Sequence, residues 1–288
     1  FIRVCRAAIL TNDTTFLPIL SDCVNVLKQP LYRQKYAPSL NNTLVIMVQQ
    51  GFSTSLAMIQ ALLDIGIHSK HIIFFTKPHT TCRSNQAKLK ALTQRHHIHY
   101  VDTSDMIRDG HTYKAAKERA IEEIISAAST KIATHKIKNI LLHDEGGTVF
   151  KSDAFQTQWQ EVWSPLKLRL STSEHTTSGV SARSERPIEA PCVLMASTWL
   201  KMNTEAYFIA EKSFWTVKAD IDEQLSALPK GQMLKLAVIG CGNIGSVFVR
   251  HLVDHYKSGR VKLYISDIDT KEKYINTRAV SYTHLRAH

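Results

Sequence analysis

The chain has 288 residues, of which 44% are hydrophobic and 21% are charged, so its composition is that of a folded globular protein and not of a disordered chain. This length suggests roughly two domains. No apolar run approaches the ~18 residues that a membrane-spanning helix needs, which argues against a membrane protein. The sequence also shows no signal-peptide pattern.

Basic residues outnumber acidic residues by 36 to 25, which gives a net charge of +11. They are scattered along the chain and do not form a stripe interleaved with aromatic residues, so the surplus predicts solvated surface charge and no nucleic-acid partner. The five cysteines are far apart and include no C-x-x-C pair, which argues against a zinc ribbon or a disulfide framework. We therefore expect a reducing, cytoplasmic location.

Among the 14 histidines, His96, His97 and His99 lie close together. His97 and His99 flank Ile98 in an alternating run, which favours one face of a strand over a set of metal ligands. No metal site is expected.

Strand-like and helix-like periods alternate between residues 44 and 143. The predicted strands are residues 44–48, 72–75, 98–101 and 140–142, and helical patterns begin at Ser53, Ser84 and Tyr113. Such alternation predicts an α/β fold in which a parallel sheet carries helices on both faces.

Three later segments extend this prediction. Residues 171–187 are polar and rich in Ser and Thr, which predicts a crossing or linker. Residues 192–196 predict another buried strand, and residues 203–229 predict a helix.

Parallel sheets of this kind bind ligands beyond the carboxyl ends of their strands, so the loops after Val48, Phe75 and Leu142 should line a cleft. Residues 143–148 read His-Asp-Glu-Gly-Gly-Thr. Adjacent carboxylates before two glycines can present hydrogen-bond acceptors on a tight turn. The same composition also forms ordinary turns.

A glycine loop follows the strand predicted at residues 234–239, and a helical pattern and a second strand follow the loop. Residues 240–245 read G-x-G-x-x-G, and Asp267 comes after the second strand. The glycines permit a tight turn, close approach of a diphosphate and close helix–strand packing, while Asp267 would accept hydrogen bonds from ribose hydroxyls. The pattern predicts NAD as cofactor, with contacts at Gly240, Gly242, Asn243, Ile244, Gly245 and Asp267.

Taken together, these motifs resemble the adenosylhomocysteinase family. Residues 144–147 (Asp-Glu-Gly-Gly), residues 173–180 (Ser-Glu-His-Thr-Thr-Ser-Gly-Val), Lys201 and the glycine loop follow one another in the family's order across residues 44–269. The resemblance implies a substrate-binding α/β domain in residues 1–200, a helical connection in residues 201–231, and the start of a Rossmann-type NAD-binding domain in residues 232–278.

The two ends of the chain differ from this pattern. The chain begins at Phe1, and residues 279–288 continue no strand or helix pattern and resemble a translated adaptor sequence. We expect a fragment truncated at both ends, with a non-native tail in residues 279–288.

The resemblance also implies an activity, which is reversible hydrolysis of S-adenosyl-L-homocysteine to adenosine and homocysteine. In that family bound NAD transiently oxidises the ribose 3′-hydroxyl, which allows the thiol to leave and water to add. The substrate is a small nucleoside thioether, and a homo-oligomer is left open. The implied catalytic residues are Glu145, Lys201 and Glu205, the substrate-binding residues are Gln50, Phe52 and His175, and the residues at the nicotinamide end are Thr176, Thr177 and Ser178.

Some of these positions depart from the family pattern. Glu145 replaces an aspartate, Gln50 a histidine, His175 a glutamate and Ala206 an asparagine. Loss of an acid–base group typically costs ~10²–10⁴-fold in rate. Two alternatives therefore stay open: a non-hydrolytic NAD-binding relative that acts as a regulator or partner subunit, and a dehydrogenase for another small substrate. Residues 176–178 could also serve only to cap a helix.

Overall fold

The computed structural model describes residues 30–51, 53–77, 83–103, 110, 112–185, 188, 190–198, 200–256, 259–267 and 283–284. The chain divides into two compact units, with the boundary between Ala196 and Ser197. The predicted connecting segment, residues 201–231, falls within the second unit.

The first unit is an α/β fold, as predicted. Its elements are α1 (Pro30–Leu40), β1 (Thr43–Gln49), α2 (Ser53–Ile65), β2 (Ile72–Thr76), α3 (Arg83–Arg95), β3 (His99–Asp102), α4 (Tyr113–Thr134), β4 (Asn139–Asp144), α5 (Asp153–Gln158), β5 (Arg169–Glu174), α6 (Thr177–Glu185) and β6 (Cys192–Leu194). The six strands pair in parallel in the order β3-β2-β1-β4-β5-β6. A π-helical segment, Trp159–Trp163, continues α5.

Helices cover both faces of this sheet. Leu44, Ile46 and Val48 of β1 lie in a core with residues of α4 and α5, whereas Val45 and Met47 pack on the other face with residues of α2 and α3. A strand buried on both faces needs a continuous apolar run, which is why β1 shows no alternation in the sequence.

The long helix α4 carries the apolar stripe expected from its period. Ala116, Ala120, Ile124 and Ala128 are buried. The Thr112 hydroxyl caps the start of the helix by accepting a hydrogen bond of 3.2 Å from the Ala115 N–H.

The prediction of a linker over residues 171–187 is wrong, because this segment supplies β5 and α6. Leu170, Thr172 and Glu174 alternate toward the interior and are each at most 5% exposed. The buried polar side chains are hydrogen-bonded; the Thr172 hydroxyl, for example, donates to the Pro191 carbonyl at 3.2 Å. Polar residues in this segment can therefore be buried and hydrogen-bonded, so a polar composition does not by itself indicate solvent exposure.

The predicted buried strand at residues 192–196 also needs correction. β6 ends at Leu194, and a short 3₁₀ turn, Met195–Ser197, follows it. Val193 is 60% exposed, and within the described residues β6 is the last strand of the sheet order and pairs with β5 alone.

The strand face predicted for the histidines is wrong for His97. His97 lies in the turn after α3 with a φ of 55°, whereas His99 begins β3. The Ile98 N–H closes this turn by donating to the Thr93 carbonyl at 2.9 Å.

The second unit begins with a π-helical turn, Leu200–Glu205, that leads into a long helix. Its further elements are α7 (Ala206–Ala227), β7 (Leu234–Ile239), α8 (Asn243–His255), β8 (Val261–Ser266) and β9 (Thr283–His284). The helix predicted over residues 203–229 is thus confirmed. The three strands pair in parallel in the order β7-β8-β9, and α7 and α8 pack with β8 in one apolar core.

Two residues of the predicted tail, Thr283 and His284, form β9, which pairs with β8. Across the described part of the chain, no helix is both long enough and apolar enough to cross a bilayer.

Candidate functional site

The polar loops after β1 and β4 meet at one edge of the first unit's sheet. In the observed strand order, the direction of chain progression reverses between β1 and β4, and ligands of such sheets bind at this point. The Gln50 side-chain amide donates a hydrogen bond of 2.9 Å to Glu145 Oε1, and the Gln50 N–H donates one of 3.2 Å to Glu145 Oε2. The structure therefore brings these two predicted site residues into direct contact.

A lysine that the sequence analysis did not single out joins this pair. Lys77 directly follows β2, and its Nζ lies 3.9 Å from Glu145 Oε1, with both side chains 13% exposed. The Lys77 N–H donates to the Gln49 carbonyl at 3.1 Å, which ties the end of β2 to the end of β1. The sequence predicts that the loop after Phe75 lines the cleft. Lys77 lies at the start of that loop, but it was not named among the predicted site residues.

Two fully buried carboxylates hold the turn on which Glu145 lies. Asp144 accepts hydrogen bonds of 2.8–3.0 Å from the N–H groups of residues 148–150. Glu174 accepts bonds of 3.0 and 2.9 Å from the N–H groups of Gly146 and Gly147. Burial raises the pKa of Asp144 to about 6; the nearby Glu174 charge adds to this rise, and the amide hydrogen bonds oppose it.

A row of polar side chains crosses the sheet beside this turn. The Gln49 side-chain amide lies 2.7 Å from His143 Nε2, and His143 Nδ1 lies 2.6 Å from the Ser173 hydroxyl. Burial, and to a smaller extent the neighbouring His175, lowers the pKa of His143 to about 3, so the ring is neutral near pH 7. With the Gln49 amide as donor to Nε2, the neutral ring carries its proton on Nδ1 and donates it to Ser173.

His175, predicted to bind substrate, packs against His143. The two ring centroids are 4.1 Å apart, and the planes are nearly perpendicular at 85°. From the sequence, His143 was expected only as the first residue of the loop after Leu142 and was not predicted as a site residue, whereas in the structure His143 belongs to β4. Phe52, predicted to bind substrate, lies outside the described residues.

The residues predicted at the nicotinamide end begin helix α6. The Thr176 hydroxyl accepts a hydrogen bond of 3.1 Å from the Gly179 N–H and therefore caps the helix. It also donates to Glu174 at 2.9 Å, while Thr177 and Ser178 are exposed. Thr176 thus caps the helix, and the contact of residues 176–178 with a nicotinamide stays a prediction.

In the second unit, the glycine loop connects β7 to α8. Gly240 has a φ of +90°, a left-handed conformation that glycine adopts readily. Gly242 immediately precedes α8, and a Cβ on Gly242 would meet nothing within 4 Å. A Cβ on Gly245 would lie 1.9 Å from the Gly240 carbonyl oxygen, so the close approach expected at this glycine is present.

Asp267, predicted to bind the ribose, lies next to this loop. Its carboxylate accepts a hydrogen bond from the Cys241 N–H. Burial raises the pKa of the Cys241 thiol, and the Asp267 charge raises it further. Asn243 and Ile244 form the exposed first turn of α8.

The other two predicted catalytic residues belong to the second unit. Lys201 and Glu205 lie in the π-helical turn before α7, and Glu205 is exposed. Glu145 belongs to the first unit. Within the residues that the structure describes, no three His, Cys, Asp or Glu side chains are grouped so as to hold a metal ion.

No family model matches the chain. No curated protein matches it significantly. A function must therefore be argued from the site residues and from the motifs they form.

Proposed function

We propose that this chain is an adenosylhomocysteinase-like protein that binds NAD and acts on S-adenosyl-L-homocysteine or a related nucleoside thioether. The first unit would hold the substrate, and the second would be the beginning of a Rossmann-type NAD-binding domain. The observation that carries the proposal is the hydrogen bond from the Cys241 N–H to Asp267. That bond joins the acid expected at the ribose to the loop expected at the diphosphate.

The residues of the glycine loop fit a dinucleotide. The first turn of α8 has no side-chain cap, so its N–H groups are available for phosphate oxygens. The open space beside Gly242 allows a diphosphate to approach the backbone. When bound, NAD would supply the reversible oxidation of a ribose hydroxyl.

The residues of the first unit support a ligand role for Glu145. Gln50 and Lys77 approach its carboxylate from two neighbouring strands and limit the directions in which it can point. A carboxylate held in this way can accept a proton from a bound ligand or hydrogen-bond a ribose hydroxyl. Lys201 and Glu205 are proposed as further catalytic residues from the motif resemblance alone.

One observation favours the non-hydrolytic alternative. Gln50 donates to both oxygens of Glu145 and, being an amide, cannot act as an acid or a base near neutral pH. A relative that binds NAD and adenosine without releasing a thiol is therefore the second candidate.

The test is to incubate the complete purified protein with NAD and either S-adenosyl-L-homocysteine or adenosine, and to follow released thiol and reduced-nicotinamide absorbance. Thiol release that Glu145→Gln reduces, while an exposed-site control Glu118→Gln does not, supports the hydrolase. Adenosine-dependent absorbance without thiol release supports the second candidate. Absence of both signals, together with no NAD binding by calorimetry, overturns both candidates.

A further inference from the structure

Glu174, at the end of β5, is a fully buried carboxylate with an unusually large set of hydrogen-bond donors. Besides the N–H groups of Gly146 and Gly147, it accepts bonds of 2.8 and 2.9 Å from the N–H and hydroxyl of Thr176. These four hydrogen bonds satisfy the acceptor capacity of the Glu174 carboxylate. Its role is therefore to fix the backbone that donates to it.

The backbone that Glu174 holds is the turn directly after Glu145. Gly146 and Gly147 have φ values of 77° and 60°, so both are in the left-handed region. Glycine can adopt many other backbone conformations. Two charge-assisted hydrogen bonds to Glu174, which lies on a rigid strand, select this one. Asp144 and Glu174 are register partners on β4 and β5, so both ends of the turn are fixed to neighbouring strands.

Helix α6 packs closely against the Glu174 carboxylate. A Cβ on Gly179 of α6 would lie 2.0 Å from Glu174 Cδ and Oε2. The missing side chain at Gly179 is therefore what allows the carboxylate to pass the helix and reach the turn.

We propose that Glu174 is a positioning residue that sets the location of the Glu145 carboxylate opposite Gln50 by holding the Gly146–Gly147 turn. The inference rests on the proposed function, because Glu145 is the ligand-contacting group in that proposal. In Glu174→Gln, one oxygen becomes an NH₂ group that faces N–H donors, so at least one of the two glycine bonds is lost.

The experiment uses two separate readouts on Glu174→Gln, with Glu185→Gln as a matched control at an exposed carboxylate. The first is the side-chain amide signal of Gln50 in ¹⁵N–¹H spectra, which reports its contact with Glu145 whether or not the chain is an enzyme. In Glu174→Gln, the Gln50 signal should move toward the position that it has in the Glu145→Gln variant. The Gly146 and Gly147 signals should also move. The second is thiol release, for which kcat should fall about 100-fold, the loss typical of a ~1 Å misplacement, with KM little changed.

The outcomes separate the two proposals. If the glycine signals move but the Gln50 signal does not, Glu174 does not position Glu145. If the Gln50 signal responds while the unsubstituted chain releases no thiol, the positioning role stands and the hydrolase proposal fails. Should Glu174→Gln not fold, Gly179→Ala displaces the carboxylate without removing its charge and should shift the same signals; unchanged signals in that variant overturn the proposal.

Discussion

Gly245 lies so close to Gly240 that a Cβ on Gly245 would be 1.9 Å from the Gly240 carbonyl oxygen. At Gly242, three residues earlier, a Cβ would meet nothing within 4 Å. Two glycines of one motif are thus required for different reasons. Gly245 is needed by the fold of the loop, whereas the proposed role of Gly242 lies in ligand approach.

This difference predicts opposite behaviour for two alanine variants. Gly245→Ala should lower the free energy of unfolding of the second unit by about 1–3 kcal/mol, the usual cost of overpacking. Gly242→Ala should leave that free energy unchanged and weaken NAD binding. Urea-induced unfolding and calorimetry with NAD measure the two effects, and equal stability of the two variants would contradict the steric argument.

Asp267 is expected to contribute to NAD affinity through its charge. Asp267→Ala should weaken NAD binding by about tenfold or more, because a hydrogen bond to a charged group contributes ~1.5–3 kcal/mol. Asp267→Asn keeps an acceptor for the Cys241 N–H but should lose discrimination against NADP, whose 2′-phosphate is repelled by a carboxylate. Calorimetry with both dinucleotides checks this, with Asp254→Ala at an exposed position of α8 as control. Unchanged NAD affinity in Asp267→Ala would show that the cofactor placement is wrong.

Gln50 offers a gain-of-function test of the hydrolase proposal. Gln50→His restores a group that titrates near neutral pH beside Glu145, so thiol release from S-adenosyl-L-homocysteine should rise by about 100-fold, within the range of acid–base catalysis. The rate should also become dependent on pH near ~6.5, the ordinary pKa of histidine. Gln50→Asn is the matched control, and a histidine variant no faster than the asparagine variant would favour the non-hydrolytic candidate.

At the opposite edge of the sheet, His71 makes stability dependent on pH. Its ring centroid lies 5.0 Å from that of His68 and 4.9 Å from that of His135, and its Nδ1 is buried without a hydrogen-bond partner. Burial, with smaller contributions from His68, His135 and Lys131, lowers the pKa of His71 to about 4. Between about pH 6.5 and about pH 4, the unfolded chain therefore binds a proton that folded His71 does not bind, and stability falls as the pH falls.

The check is urea-induced unfolding of His71→Gln at about pH 7 and about pH 5. The loss of stability between the two pH values should be smaller in this variant than in the unsubstituted chain, while His96→Gln serves as control. Asp144 acts in the opposite direction, because its raised pKa makes stability fall as the pH rises from about 4 to about 6. That contribution is the same in both chains and cancels in the comparison. An equal loss in His71→Gln would show that His71 is not the titrating group.

Local patterns were enough for much of the fold. The apolar run of β1 and the helical stripe of α4 were predicted because burial on both faces of a sheet, or on one side of a helix, needs apolar residues at set intervals. The strand, glycine loop, helix and strand of residues 234–266 were recognisable for a similar reason. Their backbone geometry is set by residues that are neighbours in the chain.

The polar segment that forms β5 and α6 could not be predicted in this way. Thr172 and Glu174 are buried because the Pro191 carbonyl and the glycine amides are close in space, and composition does not reveal partners that are remote in sequence. For the same reason, the sequence predicted only that the loops containing Lys77 and His143 line a cleft, and it singled out neither side chain. Their importance comes from Glu145 and His175, which are distant along the chain.

The amino-acid sequence by itself determined the α/β class, most strand positions and the shape of the glycine loop, since each depends on short-range periodicity or on backbone freedom at single residues. Only the tertiary structure decided that Gln50 and Lys77 both reach Glu145 and that Glu174 holds the turn on which Glu145 lies. Those contacts exist because parallel pairing places the ends of β1, β2, β4 and β5 along one edge, where residues far apart in sequence come within hydrogen-bond or ion-pair distance.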